Sequence, residues 1–231
     1  MPSATSPTDA PTSPGTARPT DVRLALLRAA RTELASVGPG AISLRAIARR
    51  AGVSHAAPKH HFGDRAGLLT ALAVEGYRTL AQSLTRVQAP DAAVGAEHPP
   101  ATADTAALSA LGRAYVDTAL AEPEIFALMF RPDLLHVDDP DLLAAQRAAL
   151  HPLVQGARDG AGRAGTSDSQ DDGGDESGPP APDLALIAWS FAHGLAVLAG
   201  DGALTAAAGL DRAATPALVD RLVDAFSRRV A

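Results

Sequence analysis

Residues 43–62, SLRAIARRAGVSHAAPKHHF, gather cationic side chains and ring nitrogens into one short stretch. Arg45, Arg49, Arg50 and Lys59 are fixed donors, and His55, His60 and His61 add nitrogens that donate or accept. The chemistry of such a set is anion binding. Residues 18–65 hold nine basic side chains against three acidic ones, nine minus three giving about +6, whereas the whole chain carries −6. The remainder therefore sums to −12, and a polyanion is drawn to one end of the molecule only. A charge run of this kind can also be a plain solvated helix face. The three histidines are either surface and packing residues or, with less support, zinc ligands. The chain has no cysteine and no second cluster at ligand spacing, so no metal site is assigned.

The elements that must position these groups are legible in the same stretch. Ser43 precedes the apolar pair Leu44 and Ile47, and Ser54 follows Ala51-Gly52-Val53, so both serines are candidate helix caps around a small-residue turn. Leu44, Ile47, Ala48, Val53, Ala57 and Phe62 supply a seam between the two helices. This is the spacing of a helix-turn-helix unit. Upstream, Val22, Leu26, Ala29, Ala30, Leu34 and Val37 fall on one helical face that ends at Gly38-Pro39-Gly40. With Ser54 as cap, Pro58 falls at the fourth helical position and removes a hydrogen bond to the Ser54 carbonyl, which predicts a distorted first turn.

The ordered matches Ser43, Ile47-Ala48, Ala51-Gly52-Val53-Ser54, His61-Phe62, Arg65 and Leu68-Leu69 resemble the amino-terminal pattern of the TetR family of dimeric, ligand-responsive regulators. The resemblance implies an all-α fold: a three-helix DNA-binding domain over 20–65, then a helical effector-binding and dimerisation domain over 66–231. It also implies that His55, Ala56, Lys59 and His60 face the major groove, with Ser43, Arg45, Lys59 and the helix N-termini on phosphates and Ser54 among the DNA-binding residues. Pro58-Lys59 departs from the family's common Leu-Tyr, and the lysine replaces a tyrosine that typically touches a phosphate.

Further along, a long helix is expected from Asp64 to about Val87, a loop with Pro90, Pro99 and Pro100 over 88–102, and a helix over about 103–121. Pro123 then forces a fresh start. The segment Glu122 to Phe130 and the set Trp189, His193 and Gly194 resemble signatures of the Trp-His-Gly type of TetR carboxy-terminal domain. Effector-pocket candidates are Leu111, Tyr115, Phe126, Phe130, Trp189 and His193. For the last two, four apart on one face, the alternative is that Trp189 fills the core while His193 makes a buried hydrogen bond or sits at a dimer seam. Their apolar helix, about 183–200, is short for a bilayer and reads as buried, with no membrane association. A final helix, about 215–230, presents Leu218, Leu222, Ala225 and Phe226.

Composition bounds the rest. At 231 residues and 46% hydrophobic, the chain is long enough for two helical domains with a sizeable core. Residues 1–19, rich in Pro, Ser and Thr, read as a disordered tail, and the acidic, glycine-rich stretch 160–182 as a flexible loop without calcium-loop spacing. His136 with Asp138 and Asp139 reads as a helix start rather than a metal cluster. Absent cysteine fits a cytoplasmic protein. There is no nucleophile elbow, phosphate loop, paired-carboxylate or paired-histidine motif, so an all-helical enzyme is the weaker rival, with no catalytic residues and no cofactor assigned. The expectation is a homodimeric repressor released from a palindromic double-stranded operator by a small apolar or amphipathic ligand. The alternative is a regulator controlled by a protein partner.

Overall fold

A computed structural model describes residues 19–88, 102–164 and 181–230, and every regular element among them is helical. Ten α-helices run in order: α1 (Pro19–Ala41), α2 (Leu44–Arg50), α3 (Ala57–Phe62), α4 (Arg65–Gln88), α5 (Thr102–Ala121), α6 (Pro123–Met129), α7 (Pro140–Ala164), α8 (Ala181–Asp201), α9 (Ala203–Ala207) and α10 (Thr215–Val230). The loops expected at 88–102 and 160–182 are narrower than their sequence bounds, since α4 continues through Gln88, α7 through Ala164, and α8 begins at Ala181. What remains of both, and the expected tail up to residue 18, lies outside the described residues.

The amino-terminal helices follow local sequence closely. Leu26, Ala29, Ala30 and Leu34 bury one face of α1, which breaks at Gly38 with φ of +72°. Val37, expected on that face, is exposed because it lies in the terminal turn beside the break. The Arg65 side chain then fastens the connection to α2. It donates to the carbonyls of Ile42 at 3.3 Å and Gly40 at 3.2 Å, and also to that of Pro39.

The long α4 joins the two halves of the molecule. Its amino end packs on α1 and α3, while its length lies against α5, α6 and α7. Leu68, Leu72, Tyr77, Leu80 and Leu84 are all buried, as their one-face spacing predicts. Gly76 lets α6 approach: a Cβ there would meet Ile125 Cγ2 and Met129 Sδ at 2.7 Å. The Tyr77 hydroxyl closes the same contact by donating to the Met129 carbonyl at 2.8 Å. Pro123 opens α6, and Asp139 Oδ1 accepts from Leu142 N at 2.9 Å to cap the start of α7, as expected for that acidic cluster.

Asp183–Asp201 has the length and composition of a membrane span, with mean hydropathy 1.5. One face packs on α5, α7 and α10 through Ala185, Ala188, Ala192, Leu195, Ala196 and Ala199, while Leu186, Ile187, Val197 and Leu198 are exposed, so the helix expected to be buried is buried on one side only. Small residues on that face let the helices approach closely, and Phe191 stacks on Phe226 of α10 at 4.2 Å between ring centroids.

Candidate functional site

Helix α2 starts as predicted, with the Ser43 hydroxyl accepting from Ala46 N at 3.5 Å. The turn follows at Gly52, whose φ of +68° suits glycine, and Ile47 and Ala48 are fully buried in the seam. The second helix starts later than expected. Ser54 is not its cap: α3 begins at Ala57 after Ala56, which offers no side-chain cap, and Ala57 N donates to the Ser54 carbonyl at 3.0 Å. Pro58 therefore occupies the second helical position, where the missing N–H would have had no helical partner. Its fixed φ suits the first turn, so the proline begins this helix and does not distort it.

The later start also moves His55 and Ala56 into the turn ahead of α3, and leaves Lys59 and His60 on the helix itself. Ser43, Arg45, Ser54, His55, Ala56, Lys59 and His60 are all exposed. Phe62 packs partly into the core under the Arg23 guanidinium, 5.2 Å from its ring centroid. Arg50 pairs with Glu33 at 3.2 Å, which offsets part of its charge, whereas Arg45, Arg49 and Lys59 have no acidic partner among the described residues.

The second feature is a cavity of about 190 Å³ in the carboxy-terminal domain. Tyr77 and Leu80 line it from α4, Tyr115 from α5, Phe130 after α6, Gln146, Ala149, Leu150 and Leu153 from α7, and Trp189 from α8. Of the six residues expected there, Tyr115, Phe130 and Trp189 lie on its wall. Leu111 faces a different, nearly closed crevice between α5, α8 and α10. Phe126 and His193 stand behind the wall, in an aromatic cluster with Tyr115 and Phe130. The α4 and α7 contributions were not found from sequence, because nothing local distinguishes Leu80 or Leu153 from ordinary core leucines.

Tyr115 is the hub of this cluster. Its buried hydroxyl accepts from Trp189 Nε1 at 3.2 Å and meets His193 Nδ1 at 3.1 Å. Burial pushes the Tyr115 and Tyr77 hydroxyls upward and lowers the His193 imidazole. His193 is thus neutral near pH 7 and can accept the Tyr115 proton at Nδ1. The buried hydrogen bond weighed for His193 is present, and it belongs to the same network as Trp189.

Residues 26–72 match the family of bacterial regulatory proteins named for tetR, and residues 108–226 match the tetracyclin repressor-like carboxy-terminal domain. The chain belongs to the TetR family. It is similar over most of its length to a protein of unknown function from Rhodococcus sp. RHA1, at 33% identity, with 96% of this chain and 100% of that one covered and a TM-score of 0.67. A protein designated SCO4313 is 26% identical over 90% of this chain and 98% of its own, with a TM-score of 0.60. The TetR-like regulator LfrR from Mycobacterium smegmatis, solved in complex with proflavine, shares the fold at 20% identity, covering 88% of this chain and 94% of its own, with a TM-score of 0.53. No curated protein matches the chain.

In this TetR-family transcriptional regulator, the DNA-binding and carboxy-terminal domains meet around Arg31. From α1 its guanidinium pairs with Glu75 of α4 at 3.0 Å and with Glu122, the residue before α6. Burial alone would lower the Arg31 pKa, but the hydrogen bonds and charges of the two glutamates outweigh it and raise it. A second contact joins Asp64 to His136 at 3.4 Å, next to a polar cleft of about 240 Å³. The backbone N–H of Gly67, with His136, holds the Asp64 carboxyl below its usual range.

Proposed function

We propose that this TetR-family regulator is a homodimeric repressor whose operator affinity falls when a small molecule enters the carboxy-terminal cavity, and that its carboxy-terminal domain is of the Trp-His-Gly type. The observation that carries the reading is that α4 lines the cavity with Tyr77 and Leu80 and also packs on α1 and α3. A ligand that favours one position of α4 biases the placement of the recognition helix, and nothing more than that difference in affinity is needed. Trp189 and His193, with Gly194 beside them, sit on α8, where Trp189 lines the cavity and both side chains meet the Tyr115 hydroxyl.

Base reading is assigned to His55, Ala56, Lys59 and His60, and phosphate contacts to Ser43, Arg45, Ser54 and Lys59. All seven are exposed on the basic domain. Dimerisation is assigned to α8 and α10. Leu186, Ile187, Val197 and Leu198 form an exposed apolar stripe on α8, with Leu186 at 58% exposure, and burying such a stripe against a second copy removes it from water. Two recognition helices then read a palindromic site in the cytoplasm.

The test is titration of a labelled fragment from upstream of the gene, read by mobility shift. Binding at low salt that weakens steeply as salt rises is expected. Absence of a shift at low salt, or a shift indifferent to salt, sinks the regulator reading.

A further inference from the structure

Resting on the reading that this cavity holds the effector, we infer that the ligand is a neutral, flat, largely apolar molecule that offers one carboxamide or lactam edge to Gln146. No ionisable side chain among the described residues lines the cavity other than the two tyrosines. The cations next in sequence to wall residues, Arg78, Arg131 and Arg147, are exposed, and Arg78 and Arg131 pair with Asp141 at 3.7 Å and Asp133 at 2.8 Å. A charged ligand would therefore enter without a counter-charge, which the desolvation of ions strongly disfavours.

The polar atoms on the wall narrow the class further. Trp189 Nε1 is spent on the Tyr115 hydroxyl, which is also engaged with His193 Nδ1 at 3.1 Å. The Tyr77 proton goes to the Met129 carbonyl, and no hydrogen bond among the described residues engages the Gln146 side chain on the wall. Gln146 thus presents its carbonyl oxygen and an N–H, an acceptor and a donor on a single amide plane. That pair is complementary to a second amide edge, whereas a lone ether or hydroxyl would leave one of the two unmatched. Ring faces from Tyr77, Phe130 and Trp189 and aliphatic groups from Leu80, Ala149 and Leu153 suit a flat ring system. Leu150, 44% exposed, marks the mouth.

The experiment uses the full chain and four panels of bicyclic compounds matched in size: lactams and carboxamides, carboxylates, ammonium ions, and bare hydrocarbons. Quenching of Trp189, the single tryptophan, and thermal shift are the two readouts. Lactams and carboxamides are expected to bind roughly tenfold or more tighter than either charged panel. Gln146→Leu should weaken them by about tenfold while leaving the hydrocarbons within about twofold. Charged compounds binding as well as the amides, or amide affinity indifferent to Gln146→Leu, overturns the ligand class and leaves the effector cavity standing. If no compound of any panel binds while operator binding is intact, the cavity reading falls and takes the ligand class with it.

Discussion

Arg31 and Glu75 form an ion pair at 3.0 Å that fastens the first helix of the DNA-binding domain to the helix that continues into the carboxy-terminal domain. Because Glu122 joins from the start of α6, three helices share one guanidinium. The pairing is only partly screened by solvent, and the network holds the angle at which the two domains meet. Arg31→Ala is expected to cost about 1 kcal/mol in urea unfolding, since partly exposed pairs contribute modestly. Its larger effect should be on coupling: the shift in operator affinity produced by a cavity ligand should shrink by about fivefold, with ligand affinity itself little changed. Operator titrations with and without the ligand measure this, and an undiminished shift would remove Arg31 from the path.

Pro58 tests where the recognition helix begins. At the second helical position it removes no hydrogen bond, limits the unfolded chain and is buried. Pro58→Ala is therefore expected to destabilise the protein by about 1 kcal/mol, through greater freedom of the unfolded state and lost packing. A proline at the fourth position would give the opposite sign, because alanine would restore a bond and relieve a clash. The urea midpoint distinguishes the two.

What was legible in the sequence was local. Ser43, the Gly38-Pro39-Gly40 break and the restart at Pro123 announce themselves through backbone chemistry that needs no partner, and one-face spacing marked the buried leucines of α4. The recognition helix was misplaced by two residues because Ser54 is a good capping residue and Ala56 is not, and only the pairing of backbone groups decides between them. The cavity was half legible: aromatic side chains stood out at Tyr115, Phe130 and Trp189, while Gln146 and the leucines of α7 acquire their role only when α7 crosses α4. Arg31 was counted as charge near DNA, yet its partners lie 44 and 91 positions away.

His193 predicts a pH dependence with a definite sign. Burial lowers its pKa from the ordinary 6.5, so between that value and the lowered one the unfolded chain binds more protons than the native state. Stability should therefore fall as pH drops below about 6.5, and the loss should level off once pH is below the folded pKa. His193→Gln should flatten this part of the profile in urea unfolding measured from pH 7.5 to 4.5. A profile unchanged by the substitution would mean that another group carries the titration.

Tyr115→Phe removes one oxygen from the centre of the aromatic cluster and leaves the Trp189 N–H and His193 Nδ1 without their partner. An unsatisfied buried donor costs about 1 to 3 kcal/mol, and the ring itself is retained, so packing is not the cause of any loss. The Trp189 emission should change as its hydrogen bond is lost, and the His193 titration should move as well. Loss below about 0.5 kcal/mol with unaltered emission would mean that water replaces the hydroxyl and that the network is not closed.

Lys59 is the chain's one lysine and stands exposed on the recognition helix. If its ammonium neutralises a phosphate in each half of a dimer, Lys59→Ala should lower the slope of log K against log salt by about two, one for each protomer. The loss of affinity should be similar for the operator and for unrelated DNA, because a phosphate contact carries no sequence information. His55→Ala and His60→Ala should instead reduce the ratio of operator to unrelated binding, by about tenfold where a base contact is lost, with the slope nearly unchanged. Titrations at four salt concentrations on both DNAs separate the two roles. A Lys59→Ala protein that keeps its slope but loses discrimination would exchange them, making the lysine a base reader and the histidines its support.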